Sequence, residues 1–159
     1  ISVVDSGLRR SLADGRYAER RAEVSAASAL LGPLGSASLE DLERIEDPLL
    51  RRRARHVITE CQRVDEAVAL LAAGDLAGVG PLLSEGHRSL SRDFEVSTEA
   101  MDDLVDAVND RPGVFGARMT GGGFGGCVVV LSEPGALDDL AERRWPATPA
   151  GGARLLDSP

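Results

Sequence analysis

The chain has 159 residues, 43% of them hydrophobic and 28% charged, which is the size and composition of one folded domain with a core of its own. Its net charge of -8 and pI near 4.8 leave no basic stripe for a phosphate backbone, so nucleic acid is excluded as a partner. No apolar run reaches the roughly 18 residues of a membrane span and no signal peptide is visible, so a cytoplasmic protein with no membrane contact is expected.

Two cysteines, Cys61 and Cys127, are too few and too far apart for a zinc knuckle, and neither belongs to a CxxC pair. They are expected to be reduced, buried thiols, with no metal site. The first residue is Ile1, inside a strand-like run, and not Met. That start points to processing or to a piece of something longer.

In chain order, ISVVDSG reads as a short strand and a turn. From about Asp14 a helical pattern puts Tyr17, Val24, Ala27 and Leu31 on one face, and Gly32 and Pro33 stop it. A loop with a small SLEDL turn follows. Asp47 and Pro48 then stand where an N-cap and a first helical residue belong. Apolar residues recur at Leu50, Ala54, Val57, Cys61, Val64, Val68 and Leu71, which predicts a long helix closed by Gly74 with Cys61 on its core face. The basic run RRRARH, Arg51 to His56, is read as a solvated face of that helix. Asp75 caps the next helix, to about Leu90, whose first turns are weakened by Gly78, Gly80 and Pro81. Ser97 is expected to cap a further helix with Glu99 in its first turn and Met101, Leu104, Val105 and Val108 as its buried stripe. Met101 is read as core packing.

After Arg111 and Pro112 the period changes. VFGARM and CVVVL predict two strands around RMTGGGFGGC, a loop of nearly bare backbone. Ala136 to Trp145 is expected to form a last short helix and ARLLD a terminal strand. No internal repeat or low-complexity tract is present. A dinucleotide fingerprint needs strand, glycines, then helix, whereas these glycines lead into a strand, and no Gly-Lys-Ser/Thr ending marks a Walker loop. Three readings of the loop remain: a nest of N–H groups around an anion, a place where a neighbour approaches closely, or a tight hairpin. Phe124, its one bulky residue, is read as a packing anchor. On the residues alone Tyr17 is a phenol packed at a helix start.

RMTGGGFGGC closely resembles the third signature motif of the galactokinases in the GHMP sugar and metabolite kinase family. SLADGRYAERRAEV, RRRARHVITECQRVDEAVALLAAGDL and SEGHRSLSRDFEVSTEAMDDLV are similar to the segments that flank it in that family, so the resemblance runs from Ile1 to about Ser132. It implies an α+β fold over residues 1–159, a GHMP-kinase C-terminal domain whose antiparallel sheet has helices packed on one side. It also implies that Tyr17 contacts the sugar, with Arg20 and Arg21 as the matching basic pair, and that Gly121, Gly122, Gly123, Gly125 and Gly126 shape the site beside it without taking part in the chemistry. A phenol suits sugar because its ring meets C–H groups while its hydroxyl bonds to hydroxyls.

Where the chain departs from the family pattern, it lacks the GEHTDY sugar motif, the GLSSS-type phosphate loop and the aspartate–arginine catalytic pair. The resemblance therefore implies no catalytic residue here. ATP, Mg2+ and their ligands are expected in an N-terminal ATP-binding and catalytic half absent from this chain, with galactose, ATP and that missing lobe as partners of the complete enzyme. The segment WPATPAGGARLL also reaches the family's closing GA element with fewer residues than usual. Two readings follow: the C-terminal part of an ATP:D-galactose phosphotransferase, inactive without its other half, or a non-catalytic sugar-binding or regulatory module that kept this lobe.

Overall fold

The computed structural model describes residues 1–9 and 15–151. Strand β1 (Ser2–Asp5) precedes helix α1 (Arg16–Leu31), two 3-10 turns (Leu34–Ser36 and Glu40–Arg44), and helices α2 (Pro48–Ala72), α3 (Leu76–Arg92) and α4 (Glu99–Asn109). Strands β2 (Val114–Thr120) and β3 (Cys127–Ser132), a 3-10 turn (Asp138–Arg143) and β4 (Arg144–Pro146) complete the order. The strands form one antiparallel sheet ordered β2-β3-β1-β4. This is the α+β architecture that the family resemblance implies.

Helix starts follow local chemistry. Asp47 accepts from the Leu49 and Leu50 amides at 2.7 and 3.4 Å, and Pro48 opens α2. Asp75 accepts from Gly78 N–H at 2.8 Å, and Pro81, the sixth residue of α3, has no N–H for the Ala77 carbonyl, yet the helix runs on to Arg92. The cap of α4 is Thr98 and not Ser97: Thr98 is extended, and its hydroxyl accepts from Met101 N–H at 3.3 Å. That amide belongs to the third helical residue, the usual partner of a capping oxygen. The start expected for α1 at Asp14 lies outside the described residues, which place Gly15 at the N-cap with φ 67°.

The sheet carries one core on the face shared by Val4, Val128 and Met119 and, one pair further along, Val130 and Ala117. Met101, Val105 and Val108 of α4 pack there with Leu90, Val96 and Leu137, as the stripe on α4 predicts. A second core joins α1, α2 and the turns between them through Ala27, Leu34, Leu42, Ile45, Ala54 and Ile58. Helix α3 lies along the edge strand β2, where His87 Nδ1 accepts the outward Met119 N–H at 3.3 Å. The helix thereby covers an edge that would otherwise be open to pairing.

Four expectations are corrected. The stripe on α2 is buried only at Ala54 and, one position off the predicted set, Ile58; Cys61 is half-buried, and Val64, Val68 and Leu71 are 59%, 62% and 53% exposed. Gly35, in the turn after α1, stands beside Cys61, where a Cβ would lie 3.6 Å from its sulfur, and past that level the stripe is exposed. The RRRARH run is not a solvated face, because Arg53 is fully buried and His56 is 7% exposed. Both cysteines are free but half-buried. Residues 138–146 form a 3-10 turn and a strand where a helix over 136–145 is expected: Arg144, Trp145 and Pro146 pair with Val4, Val3 and Ser2, and this ladder outcompetes a helix too short to stand alone. The strand expected at ARLLD lies outside the described residues.

Candidate functional site

A cleft of about 520 Å³ opens between the first two helices. Tyr17, Arg21, Val24 and Ser25 of α1 form one wall and His56, Val57, Glu60 and Cys61 of α2 the other, with Leu90, Phe94 and Arg118 closing it. Tyr17 stands in the first turn of α1 and is 59% exposed. Within this chain it is no part of either core. Arg21 lines the cleft, whereas Arg20 turns away to Glu23, donating to both carboxylate oxygens at 2.8 Å.

The deep side of the cleft is charged and fully paired. Glu60 accepts from Arg63 Nε at 2.6 Å and from Arg118 Nη2 at 2.8 Å. Burial opposes its ionisation, but the Arg63 bond and the nearby Arg118 charge outweigh that, so the carboxyl stays below its ordinary range. Gly86 lies beneath this pair: a Cβ there would stand 2.7 Å from Arg118 Nη1 and 2.9 Å from Glu60 Oε1, so the ends of these two side chains would have to shift. His56 stacks on Phe94 with ring centroids 4.5 Å apart, and its Nδ1 is 3.0 Å from Ser89 Oγ. Because Ser89 spends its one proton on Asp93, at 3.0 Å, His56 carries its hydrogen on Nδ1 and donates. Burial pushes the His56 pKa down to about 4, so the ring is neutral at pH 7.

Beside the cleft lies the glycine loop, between antiparallel β2 and β3. Gly121, Gly123, Gly125 and Gly126 have positive φ, and so does Phe124, at 60°. At Gly123 a close approach is decisive: a Cβ would run into the Val96 carbonyl oxygen, which also accepts the Phe124 N–H at 2.7 Å. Ser6 anchors the far end by donating its N–H and hydroxyl to the Gly126 carbonyl at 3.0 and 2.6 Å. Phe124 packs against the sheet core, as expected of an anchor, and its ring also carries the Arg16 guanidinium, 4.0 Å from its centroid. Since Arg16 adjoins Tyr17, the structure brings the first turn of α1 and the glycine loop together.

The arrangement offers an exposed phenol, a half-apolar cleft and a bare backbone loop. That set can bind and orient a small polar molecule. Among the described residues no three His, Cys, Asp or Glu side chains are grouped to hold a metal ion. The loop runs into a strand and not into a helix N-terminus, so these residues do not form a triphosphate cradle of the usual kind.

Sequence reasoning missed Arg53, the Glu60–Arg118 pair and the Arg16–Phe124 contact. For Arg53 a signal existed: it follows Leu50 by three residues and precedes Val57 by four, which places it on the apolar side of α2. The other two join segments 58 and 108 positions apart in the chain, and no local spacing announces them.

The GHMP kinases C terminal family model matches residues 67–150. Over 86% of this chain human galactokinase is 44% identical to it, and over 98% of this chain Streptomyces coelicolor galactokinase is 41% identical. The crystal structure of Lactococcus lactis galactokinase complexed with galactose superimposes with a TM-score of 0.79 over 89% of the chain, at 34% identity. The chain spans 36%, 46% and 38% of these three proteins respectively, less than half of each. With more than half of its residues under the family model and its fold shared with a solved member, the chain belongs to the GHMP kinases and carries their C-terminal domain.

Proposed function

We propose that this chain is the C-terminal part of a galactokinase, a cytoplasmic enzyme that transfers a phosphoryl group from ATP to D-galactose and forms galactose 1-phosphate. The observation that carries this reading is the exposure of Tyr17 at the cleft mouth, held against the glycine loop through Arg16 and Phe124, in a chain this similar to galactokinases. Tyr17 lays its ring along the C–H face of the sugar and bonds a hydroxyl through its phenol. The glycine loop, which meets the first turn of α1 through the Arg16–Phe124 contact, leaves backbone at Gly121, Gly122, Gly123, Gly125 and Gly126 that sugar and nucleotide groups can approach closely.

The general base, the phosphate loop and the ligands for ATP and Mg2+ belong to an amino-terminal half outside this chain. When bound, the metal and nucleotide supply the phosphoryl donor and its charge compensation. The share of this chain is sugar orientation and exclusion of water from one side. Purified alone it is expected to release no ADP in the presence of galactose. Co-expressed with the amino-terminal half of a galactokinase, it is expected to restore galactose-dependent ADP release. No activity from a stable, folded complex of the two halves would refute the proposal.

A further inference from the structure

Arg53 is fully buried, and all of its guanidinium nitrogens are engaged: Nε donates to Glu23 Oε2 at 2.6 Å, Nη1 to the Asp93 carbonyl at 2.6 Å, and Nη2 to Glu95 Oε2 at 2.5 Å. A buried charge is tolerated only when paired this completely, and each acceptor belongs to an element that borders the candidate site. Glu23 lies on α1, six positions after Tyr17, and is also held by Arg20. Asp93 and Glu95 form the turn after α3. Glu95 adopts φ 56°, a conformation costly for a residue with a side chain, and its other oxygen accepts from Arg52 at 3.1 Å. The next residue, Val96, receives the Phe124 N–H and presses on Gly123. Arg16 over the Phe124 ring returns the path to Tyr17. The contacts form a closed ring, from Tyr17 along α1 to Glu23, through Arg53 to Glu95 and Val96, and through the glycine loop to Arg16.

We infer that Arg53 is a positioning residue, which fixes the glycine loop against the Tyr17-bearing turn of α1 by holding Glu23 and the strained Glu95 turn on one guanidinium. It touches neither substrate, and its catalytic consequence rests on the galactokinase reading above. The role demands a fork. A lysine keeps the charge but presents one ammonium, which cannot reach three acceptors in the plane that a guanidinium spans.

The test compares R53K with E95N. Asparagine tolerates the left-handed backbone of position 95 and is too short to reach Arg53, so the second variant removes one arm of the link without straining the turn. In this chain, hydrogen exchange at the Phe124 amide is expected to accelerate about ten-fold or more in both variants, with the β3 core amides unchanged. In the reconstituted enzyme, R53K is expected to lower kcat about ten-fold or more while the KM for ATP stays constant. Unchanged Phe124 exchange in the folded variants would overturn the inference. So would equal acceleration in β3, which marks a merely structural role, or an accelerated loop with unchanged kcat. A reconstituted enzyme inert toward galactose with Arg53 intact would instead sink the galactokinase reading, and the exchange data would then decide the role of Arg53 by themselves.

Discussion

Gly80 of α3 and Gly116 of β2 meet backbone to backbone: a Cβ on Gly116 would fall on the Gly80 carbonyl, and one on Gly80 would fall on the Phe115 carbonyl. This contact lets a helix lie along the edge of the sheet, and His87 then reaches the Met119 amide. Alanine at position 80 would ordinarily stabilise a helix by about 1 kcal/mol over glycine. Here the obstacle is main chain, which cannot rotate away, so both G80A and G116A are expected to lose about 2 kcal/mol or more. Urea unfolding checks this, through a lowered midpoint at unchanged m-value.

The glycine loop separates backbone strain from close approach. Gly121 has φ 85° with nothing within 4 Å of a would-be Cβ, whereas Gly123 has φ 82° with the Val96 carbonyl in the way. G121A is therefore expected to show strain alone, about 1 to 2 kcal/mol, and G123A clearly more. Equal losses would mean that the Val96 contact relaxes freely and that the loop is an ordinary hairpin. In the reconstituted enzyme, a normal kcat per folded molecule for G123A would remove the site-shaping role of the loop.

Much of the fold was legible because its determinants are local. Asp47–Pro48, Asp75, the α4 stripe and the switch to strand period after Pro112 each act within a few residues, and each element forms where its signal stands. The failures share one cause, which is that periodicity reports a face but not what covers it. Val64 and Val68 continue the spacing of Ala54 and Cys61, yet both are exposed. Arg53 reads as solvent-facing by charge and is buried because Glu23 and Glu95, 30 and 42 positions away, converge on it. The site was half legible. Composition exposed the glycine loop, but the approach of Arg16 to Phe124 depends on how α1 docks.

His56 predicts a pH dependence of stability. Its folded pKa, about 4, is depressed by burial, with Glu60 and Asp93 pulling up and Arg63 and Arg118 pushing down, against 6.5 in the unfolded chain. Above pH 6.5 both states hold the ring neutral, and the stability it contributes is fully present. As pH falls from 6.5 toward 4 the unfolded chain takes up a proton that the folded one refuses, so stability declines, by about 2 kcal/mol at pH 5. His87 is lowered by burial as well and acts in the same direction. Glu23, Glu60 and Glu95 have folded pKa values below the ordinary carboxylate range, so their stabilisation is lost only at lower pH. Urea unfolding at pH 7.5 and pH 5 is expected to show a smaller drop for H56Q than for the parent. The same drop in both would assign the effect elsewhere.

Tyr17 gives the sharpest division between binding and folding. Its side chain is 59% exposed, so Y17A is expected to leave stability within about 0.5 kcal/mol. In the reconstituted enzyme the same change should raise the KM for galactose by the equivalent of about 1 to 3 kcal/mol and leave the KM for ATP nearly constant. Y17F then divides the contribution. If the ring stacked on the sugar does most of the work, Y17F stays close to the parent; if the hydroxyl bond dominates, it resembles Y17A. Parallel losses for both substrates would mean that the first turn of α1 has moved as a unit and taken the Arg16–Phe124 contact with it. An unchanged galactose KM in folded Y17A would place the sugar away from this cleft mouth altogether.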